Sequence, residues 1–129
     1  MNLLPIAERL QAANLGTLGT TIFVNMMPTE CEAGILLRQP LTGTHINYEL
    51  PEYFKTRLQV IVRTRNFEAG MLLIKQATAA LLIKSDEQVG GMFVRYMRPA
   101  SKPVSFPVTL GNFIEFTVPM DVCYNEADE

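Results

Sequence analysis

Histidine occurs once in this sequence, at His45, and cysteine twice, at Cys31 and Cys123. Histidine is the usual general base and metal ligand. His45 stands in a polar stretch with no ligand motif around it, so a surface or hydrogen-bonding role is expected of it. Cys31 lies between Glu30 and Glu32, and those carboxylates disfavour the thiolate, the wrong direction for a nucleophile. Cys123 falls in a β-prone run and is expected to pack as a small hydrophobe. Two thiols this far apart in sequence read as reduced cysteines of a cytosolic protein. The pair Gly90-Gly91 lacks the GxGxxG or GxxxxGK spacing that cradles phosphate. Asp86, Glu87 and Asp121 form no recognisable pair for acid–base or metal work. No catalytic residue, no metal ligand and no cofactor site is therefore expected.

Also missing is any run of about 18 apolar residues, so no transmembrane helix and no membrane partner are expected. The start Met1-Asn2-Leu3-Leu4-Pro5 has neither the positive charge nor the cleavage site of a signal peptide. There is no basic excess. A net charge of −2 argues against a dedicated nucleic-acid binder, while leaving room for a local basic patch. No internal repeat or low-complexity tract is present.

What is present is enough apolar material for one domain: 129 residues, 48% hydrophobic and 19% charged. Such a chain buries roughly two-thirds of its unfolded surface and needs no disulfide or metal to fold. The organising stretch is Lys55 to Ile83. In its first part Leu58, Val60 and Val62 alternate with Arg57, Gln59, Ile61, Arg63 and Arg65, the period of a half-buried strand. Asn66 then occupies an N-cap position with Ala69 at N3, and Phe67 to Ile83 reads as a helix with Leu73, Ala77, Ala80 and Leu81 on one face. A strand feeding directly into an amphipathic helix folds that helix back over its own sheet, because both apolar faces need a partner.

The other elements are placed around this unit. Residues 4–14 read as a helix with Pro5 in its first turn, Leu3, Ile6, Leu10 and Ala13 on one face, and Gly16 just past its end. The β-prone run Thr20 to Met27 and the strand Ile35 to Arg38 suggest a hairpin. Residues 41–54 have no clean period and form a long functional or interface loop, anchored by Leu41, Ile46, Tyr48, Leu50, Tyr53 and Phe54. Lys84 to Gln88 is a polar turn, and Met92 to Met97 a strand. Residues 98–107 carry three prolines, Pro99, Pro103 and Pro107, and are expected to be stiff, extended and unable to form a central strand. Leu110-Gly111-Asn112 turns into a long last strand, Phe113 to Tyr124, in which Pro119 predicts an edge position or a bulge. Residues 1–124 thus form a single α+β domain with a mainly antiparallel sheet and about two helices, and 125–129 an acidic, flexible tail.

Met26, Met92 and Met120 sit in core phase, while Met27 and Met97 fall in the opposite phase. Several strands are apolar on both faces. Two helices are few to cover both sides, which favours burial of one face by another subunit. The arginines Arg57, Arg63 and Arg65, with Arg95 and Arg98, read either as a solvated face with exposed ion pairs or as an interface making bidentate contacts to a partner's carboxylates. No aromatic-interleaved platform for single-stranded nucleic acid accompanies them.

The ordered set Gly34-Ile35-Leu36-Leu37-Arg38-Gln39-Pro40, Glu49-Leu50-Pro51-Glu52-Tyr53, Arg57-Leu58-Gln59-Val60-Ile61-Val62-Arg63 and Phe67-Glu68-Ala69-Gly70 resembles the small tail-terminator or minor capsid family of tailed bacteriophages. The later run Arg98-Pro99, Lys102-Pro103, Phe106-Pro107, Gly111-Asn112 and Glu115-Phe116-Thr117-Val118 carries the same resemblance, which spans roughly residues 34–124; Pro119 departs from it. The resemblance implies a structural role and no reaction. It implies a lambda-type tail terminator, made in the host bacterial cytoplasm and built into the virion. Such a protein forms a homohexameric ring that caps the tail tube, ends its polymerisation and offers a surface to the head-completion or stopper protein. Genomic DNA passes through the lumen without sequence-specific binding. The alternatives are another head–tail joining or tail-completion protein of the neck, or a small cytosolic ligand-binding α+β domain. The residues expected at a subunit or partner interface are Arg63, Arg65, Arg98 and Lys102, with Tyr48, Tyr53 and Phe106 as aromatic anchors.

Overall fold

The chain runs α1 (Leu4–Ala12), β1 (Ile22–Val24), β2 (Gly34–Arg38), β3 (Tyr53–Thr64), α2 (Phe67–Leu81), β4 (Glu87–Val89), β5 (Met92–Pro99), β6 (Val104–Val108) and β7 (Phe113–Glu126). The computed structural model describes residues 1–28, 31, 33–40, 43–108 and 112–126, and of residues 106–108 the backbone. Glu30, Glu32, Leu41, the Leu110-Gly111 half of the expected turn, and residues 127–129 of the expected tail lie outside the described residues.

Period-two alternation makes β3 and β7 two-faced ribbons, and they pair antiparallel over their whole common length, from Tyr53↔Asn125 to Thr64↔Ile114. β2 adds to the free edge of β3, and β1 to β2. Both β5 and β6 add to the other edge of β7: β6 along residues 113–117, β5 along 120–126. The sheet order is β1-β2-β3-β7-β5-β4, with β6 beside β7. The result is the expected single-domain α+β fold with a mostly antiparallel sheet. Both helices lie on the face that carries Leu58, Val60, Val62, Phe116, Val118, Met120 and Val122, all buried. Arg9 of α1 is ion-paired with Glu87 of β4 and donates from Nε to the Ala80 carbonyl of α2 at 2.9 Å, tying the helices to each other and to the sheet edge.

The helix ends have local causes, except the C-terminus of α2, which a sheet contact sets. The Asn66 side chain accepts from the Ala69 N–H at 3.0 Å, the expected N-cap of α2. α2 stops at Leu81, short of Ile83, because Ile83 exchanges backbone hydrogen bonds with Met97 of β5. Its buried stripe is Gly70, Ile74, Ala77 and Leu81, so Ile74 takes the place expected of Leu73. α1 ends at Ala12, and Asn14, not Gly16, takes the left-handed position, at φ 62°. The Asn14 and Leu15 amides reach back to the Gln11 and Leu10 carbonyls, which satisfies the last carbonyls of the helix. Ala13, the C-cap, is exposed.

Several strand expectations are corrected. β1 and β2 pair in parallel, not as a hairpin. Asn25, at φ 66°, turns the chain off the sheet before β2, so it re-enters from the same end. That turn also exchanges the methionines: Met27 is buried and Met26 exposed. The stretch after Ile83 is not wholly a turn. Glu87–Val89 forms β4, hairpinned to β5 through Gly90 at φ 59°. A register shift between Val94 and Tyr96 advances the phase of β5 by one, which puts Met97 in the core. β7 continues through Asn125 and Glu126, opposite Phe93 and Met92. The proline-rich segment is extended and peripheral: Arg98 and Pro99 end β5, and β6 pairs its later part, both on the edge of β7 away from β3.

Pro119 lies neither at an edge nor at a bulge; it is in mid-strand opposite Gln59. Its carbonyl accepts from the Ala100 N–H at 2.8 Å, on the side away from β3. In an extended strand the N and C=O of one residue point the same way, so its missing donor faces the gap where β5 has ended and β6 has not begun. No ladder bond to β3 is lost.

Among the described glycines, Gly70 has the least room for a side chain. A Cβ there would stand 2.3 Å from both the Phe116 ring and the Thr64 methyl group. In an open helix Gly→Ala stabilises by about 1 kcal/mol, whereas overpacking a core costs about 1–3 kcal/mol. Gly70→Ala is therefore expected to lower stability by up to about 2 kcal/mol in urea titration; a raised midpoint would mean that α2 does not sit this close to β7.

Candidate functional site

The face of the sheet opposite the helices carries no helix or strand among the described residues, but the segment after β1 crosses its Arg63 end, where Met27 and Cys31 approach Gly34, and Ile61 on this face is buried. Cross-strand pairing arranges its side chains in rows. Phe23, Leu36, Ile61, Thr117 and Val104 form one row over five strands, mostly apolar, with Val104 exposed. On one side of it Arg63 lies opposite Glu115, with Nη2 and Oε2 3.2 Å apart, and also donates to the Pro28 carbonyl at 3.1 Å. The Arg63 and Arg65 guanidiniums both stand against the Phe113 ring, at 5.5 and 4.8 Å from its centroid. On the other side Arg38 donates to Gln59 at 2.7 Å, and Arg57 to Asp121 at 3.0 Å. Asp121 pairs in register with Arg98, whose guanidinium is 4.3 Å from the centre of the Tyr96 ring. Arg95 donates to Asn125 and to Asp86.

The expected interface residues therefore separate into groups. Arg63 and Arg65 share the Phe113 end, and Phe106 has its backbone opposite Glu115 there; its side chain is outside the description. Arg98 and Tyr53 are near the other end, Arg98 extended over Tyr96 and Tyr53 opening β3. The Tyr53 hydroxyl is pushed above its ordinary value, first by a hydrogen bond to the Cys123 thiol and then by burial. Lys102 is exposed in the connection from β5 to β6, and Tyr48 is exposed in the loop before β3. Of the residues expected to anchor that loop, Ile46, Tyr48 and Leu50 are exposed, Leu41 lies outside the described residues, and Tyr53 and Phe54 open β3, where Phe54 stacks on Tyr124. The loop is also tied by the Thr44 hydroxyl to Thr56 at 3.2 Å and by the Glu126 N–H to the Glu52 carbonyl at 2.9 Å.

A cavity of about 470 Å³ opens between His45, Lys55, Arg57, Tyr96 and Asp121. These residues come from a loop and three strands, so sequence spacing could not assemble them. Asp121 already holds Arg57, and no group of three or more His, Cys, Asp or Glu suited to a metal exists among the described residues. Tyr124, on the buried face, is pushed above its ordinary value by burial first and by Glu126 second. No described helix is long and apolar enough to cross a membrane. What the open face offers is recognition: a row of apolar side chains between two rows of positioned charge.

A family model described as bacteriophage tail terminator protein matches residues 9–125. The chain belongs to that family. A tail terminator is a structural protein of the virion, and its place is in the tail or neck. Among solved structures, a chain from the "Virion of native gene transfer agent (GTA) particle" is similar with a TM-score of 0.64 at 15% identity, covering 95% of this chain and 94% of that one. At that identity the likeness establishes the shared fold. No curated protein sequence matches the chain.

Two ion pairs of the open face differ in exposure. Side-chain accessibility is 15% and 21% for Arg63 and Glu115, but 64% and 35% for Arg57 and Asp121. Exposed pairs contribute about 0–1 kcal/mol. Double-mutant cycles to alanine are expected to give a coupling near 1 kcal/mol for Arg63–Glu115 and under about 0.5 kcal/mol for Arg57–Asp121. Equal couplings would mean that the Phe113 end shields its pair no better than the other end.

Proposed function

We propose that this tail terminator acts as a homohexameric ring that caps the tail tube, stops its polymerisation and presents the attachment surface for the head-completion or stopper protein. The family match over residues 9–125 carries this reading. The helix-free sheet face supports it, because part of its apolar row, Val104 above all, stays exposed and is available to a partner. Ring closure needs a heterologous interface related by rotation, and a short stiff connection such as Ala100–Pro103 loses little entropy on docking. Arg98, stacked on Tyr96, and Lys102 are the charged contacts most open to a neighbouring subunit or the tube, with Tyr48 and Tyr53 as aromatic anchors and Arg65 beside Phe113 at the far end. The Phe106 position, on the peripheral strand β6, belongs to the same surface.

The net charge of −2 suits a ring through which genomic DNA passes, because a basic lining would hold phosphates by releasing their counterions. The chain performs no catalytic step.

The test is to add purified protein to polymerising tail-tube protein and measure tube lengths by electron microscopy. Capped tubes of arrested length, with a ring at one end, are expected. Arg98→Glu is expected to abolish the arrest while leaving the thermal midpoint unchanged, since Arg98 is exposed. Tubes that keep growing in excess wild-type protein would overturn the capping reading.

A further inference from the structure

Outside the open face, two exposed apolar patches stand at opposite ends of the molecule. The first is the loop before β3. An Asn47 turn, with the Leu50 N–H on the Asn47 carbonyl at 3.0 Å and the Glu49 N–H on Asn47 Oδ1 at 3.0 Å, lifts Tyr48 to 88% exposure. Ile46 and Leu50 flank it, each about half exposed. The second is the outer side of the first half of α2, where Phe67 and Leu72 are half or more exposed. The Phe67 ring packs on Phe116 at 5.3 Å between centroids, so one of its faces is fixed and the other turned outward.

Topology keeps these patches apart within one chain. The loop precedes the first residue of β3, and α2 begins just after its last. Twelve strand residues at about 3.3 Å each, less the short way that α2 runs back to Leu72, separate Tyr48 from Leu72 by on the order of 30 Å. The helix patch has Glu68 one turn before Leu72 and Lys75 one turn beyond it, so the loop's acids, Glu49 and Glu52, find their complementary charge on the Lys75 side. Neither Glu49 nor Lys75 has a side-chain partner among the described residues.

We infer that the occupant of the α2 patch is the 46–50 loop of a second copy of this chain. Tyr48 docks beside Phe67 and Leu72, and Glu49 lies against Lys75. The contact is head to tail. Each copy uses its loop on one neighbour and its helix on another, which is how a heterologous interface propagates until rotation closes it. Both halves are preorganised, the loop by its turns and its ties to Thr56 and Glu126, Phe67 by Phe116, so little side-chain freedom is lost on docking. This deepens the ring reading by naming which two surfaces meet, and it uses neither Arg98 nor the open face.

The test is sedimentation or mass photometry over a concentration series of the full chain and two variants, Tyr48→Asp and Leu72→Asp. Both positions are exposed, so both variants are expected to keep the wild-type thermal midpoint. Wild type is expected to assemble beyond a dimer, and each variant alone to need a concentration higher by about tenfold or more. Mixed one to one, the variants are expected to stop at a dimer, since one intact loop then faces one intact helix. Glu49→Lys and Lys75→Glu are expected to weaken assembly singly and to restore it together. Variants that assemble like wild type, a mixture that stays monomeric, or a wild-type chain monomeric at millimolar concentration would each overturn the inference. Tube arrest measured on the same variants separates the two readings: arrest without this contact leaves capping standing on another interface, and assembly without arrest leaves this contact standing without capping.

Discussion

The rest of the structure depends on the antiparallel ladder between β3 and β7. It runs unbroken from Tyr53↔Asn125 to Thr64↔Ile114. Because side chains alternate, this one register decides both faces of the molecule. It places Leu58, Val60 and Val62 beside Met120, Val118 and Phe116 under α2, and it brings Arg57 to Asp121 and Arg63 to Glu115 on the other side. A slip by a single residue would turn Arg63 inward and Val62 outward. The cost of burying an unpaired guanidinium is therefore part of what holds the register, as much as the apolar contacts are. The outer strands inherit the choice, since β2 joins β3, and β5 and β6 join β7.

The same constraint shapes the surface available to partners. The charges of the open face are cross-strand partners before they are anything else. Arg63 in particular is held by Glu115 and the Pro28 carbonyl. A face of this kind is rigid and patterned, which suits it to recognition more than to chemistry. The exposed apolar residues that lack such partners, Tyr48 and Leu72 among them, are concentrated on the loop before β3 and the outer side of α2. A structural protein of a virion tail needs contact surfaces at more than one position, and this chain carries them on different sides of one sheet.

Much of this was legible in the residues. The alternation of β3, the Asn66 cap, the helix that follows and the two-faced last strand are local patterns, and each is set by neighbours within a few positions. The misreadings share a cause: they concern who pairs with whom. The parallel pairing of β1 depends on one left-handed asparagine, Asn25, in a run with no glycine. The burial of Met97 depends on an extra residue in β5 that no periodicity announces. Pro119 was expected at an edge because the usual cost of proline falls on a hydrogen bond, and the register that spares that bond is a long-range fact. The charge pairs of the open face were likewise foreseeable as residue types and not as partners. Arg57 and Asp121, or Arg63 and Glu115, meet only through the ladder.

β7 is also made after every strand that it joins. Until it leaves the ribosome, β3 has β2 on one edge and an unpaired row of amides and carbonyls on the other, and β5 and β6 have no common neighbour. The nascent chain can form its helices and the short β4–β5 hairpin early, but the ladder that commits the fold spans some of the longest sequence separations in the molecule. Closure entropy is paid late and at once. Such a chain exposes a sticky strand edge throughout its synthesis. Capture of β3 by β7 therefore competes with capture by another chain's strand.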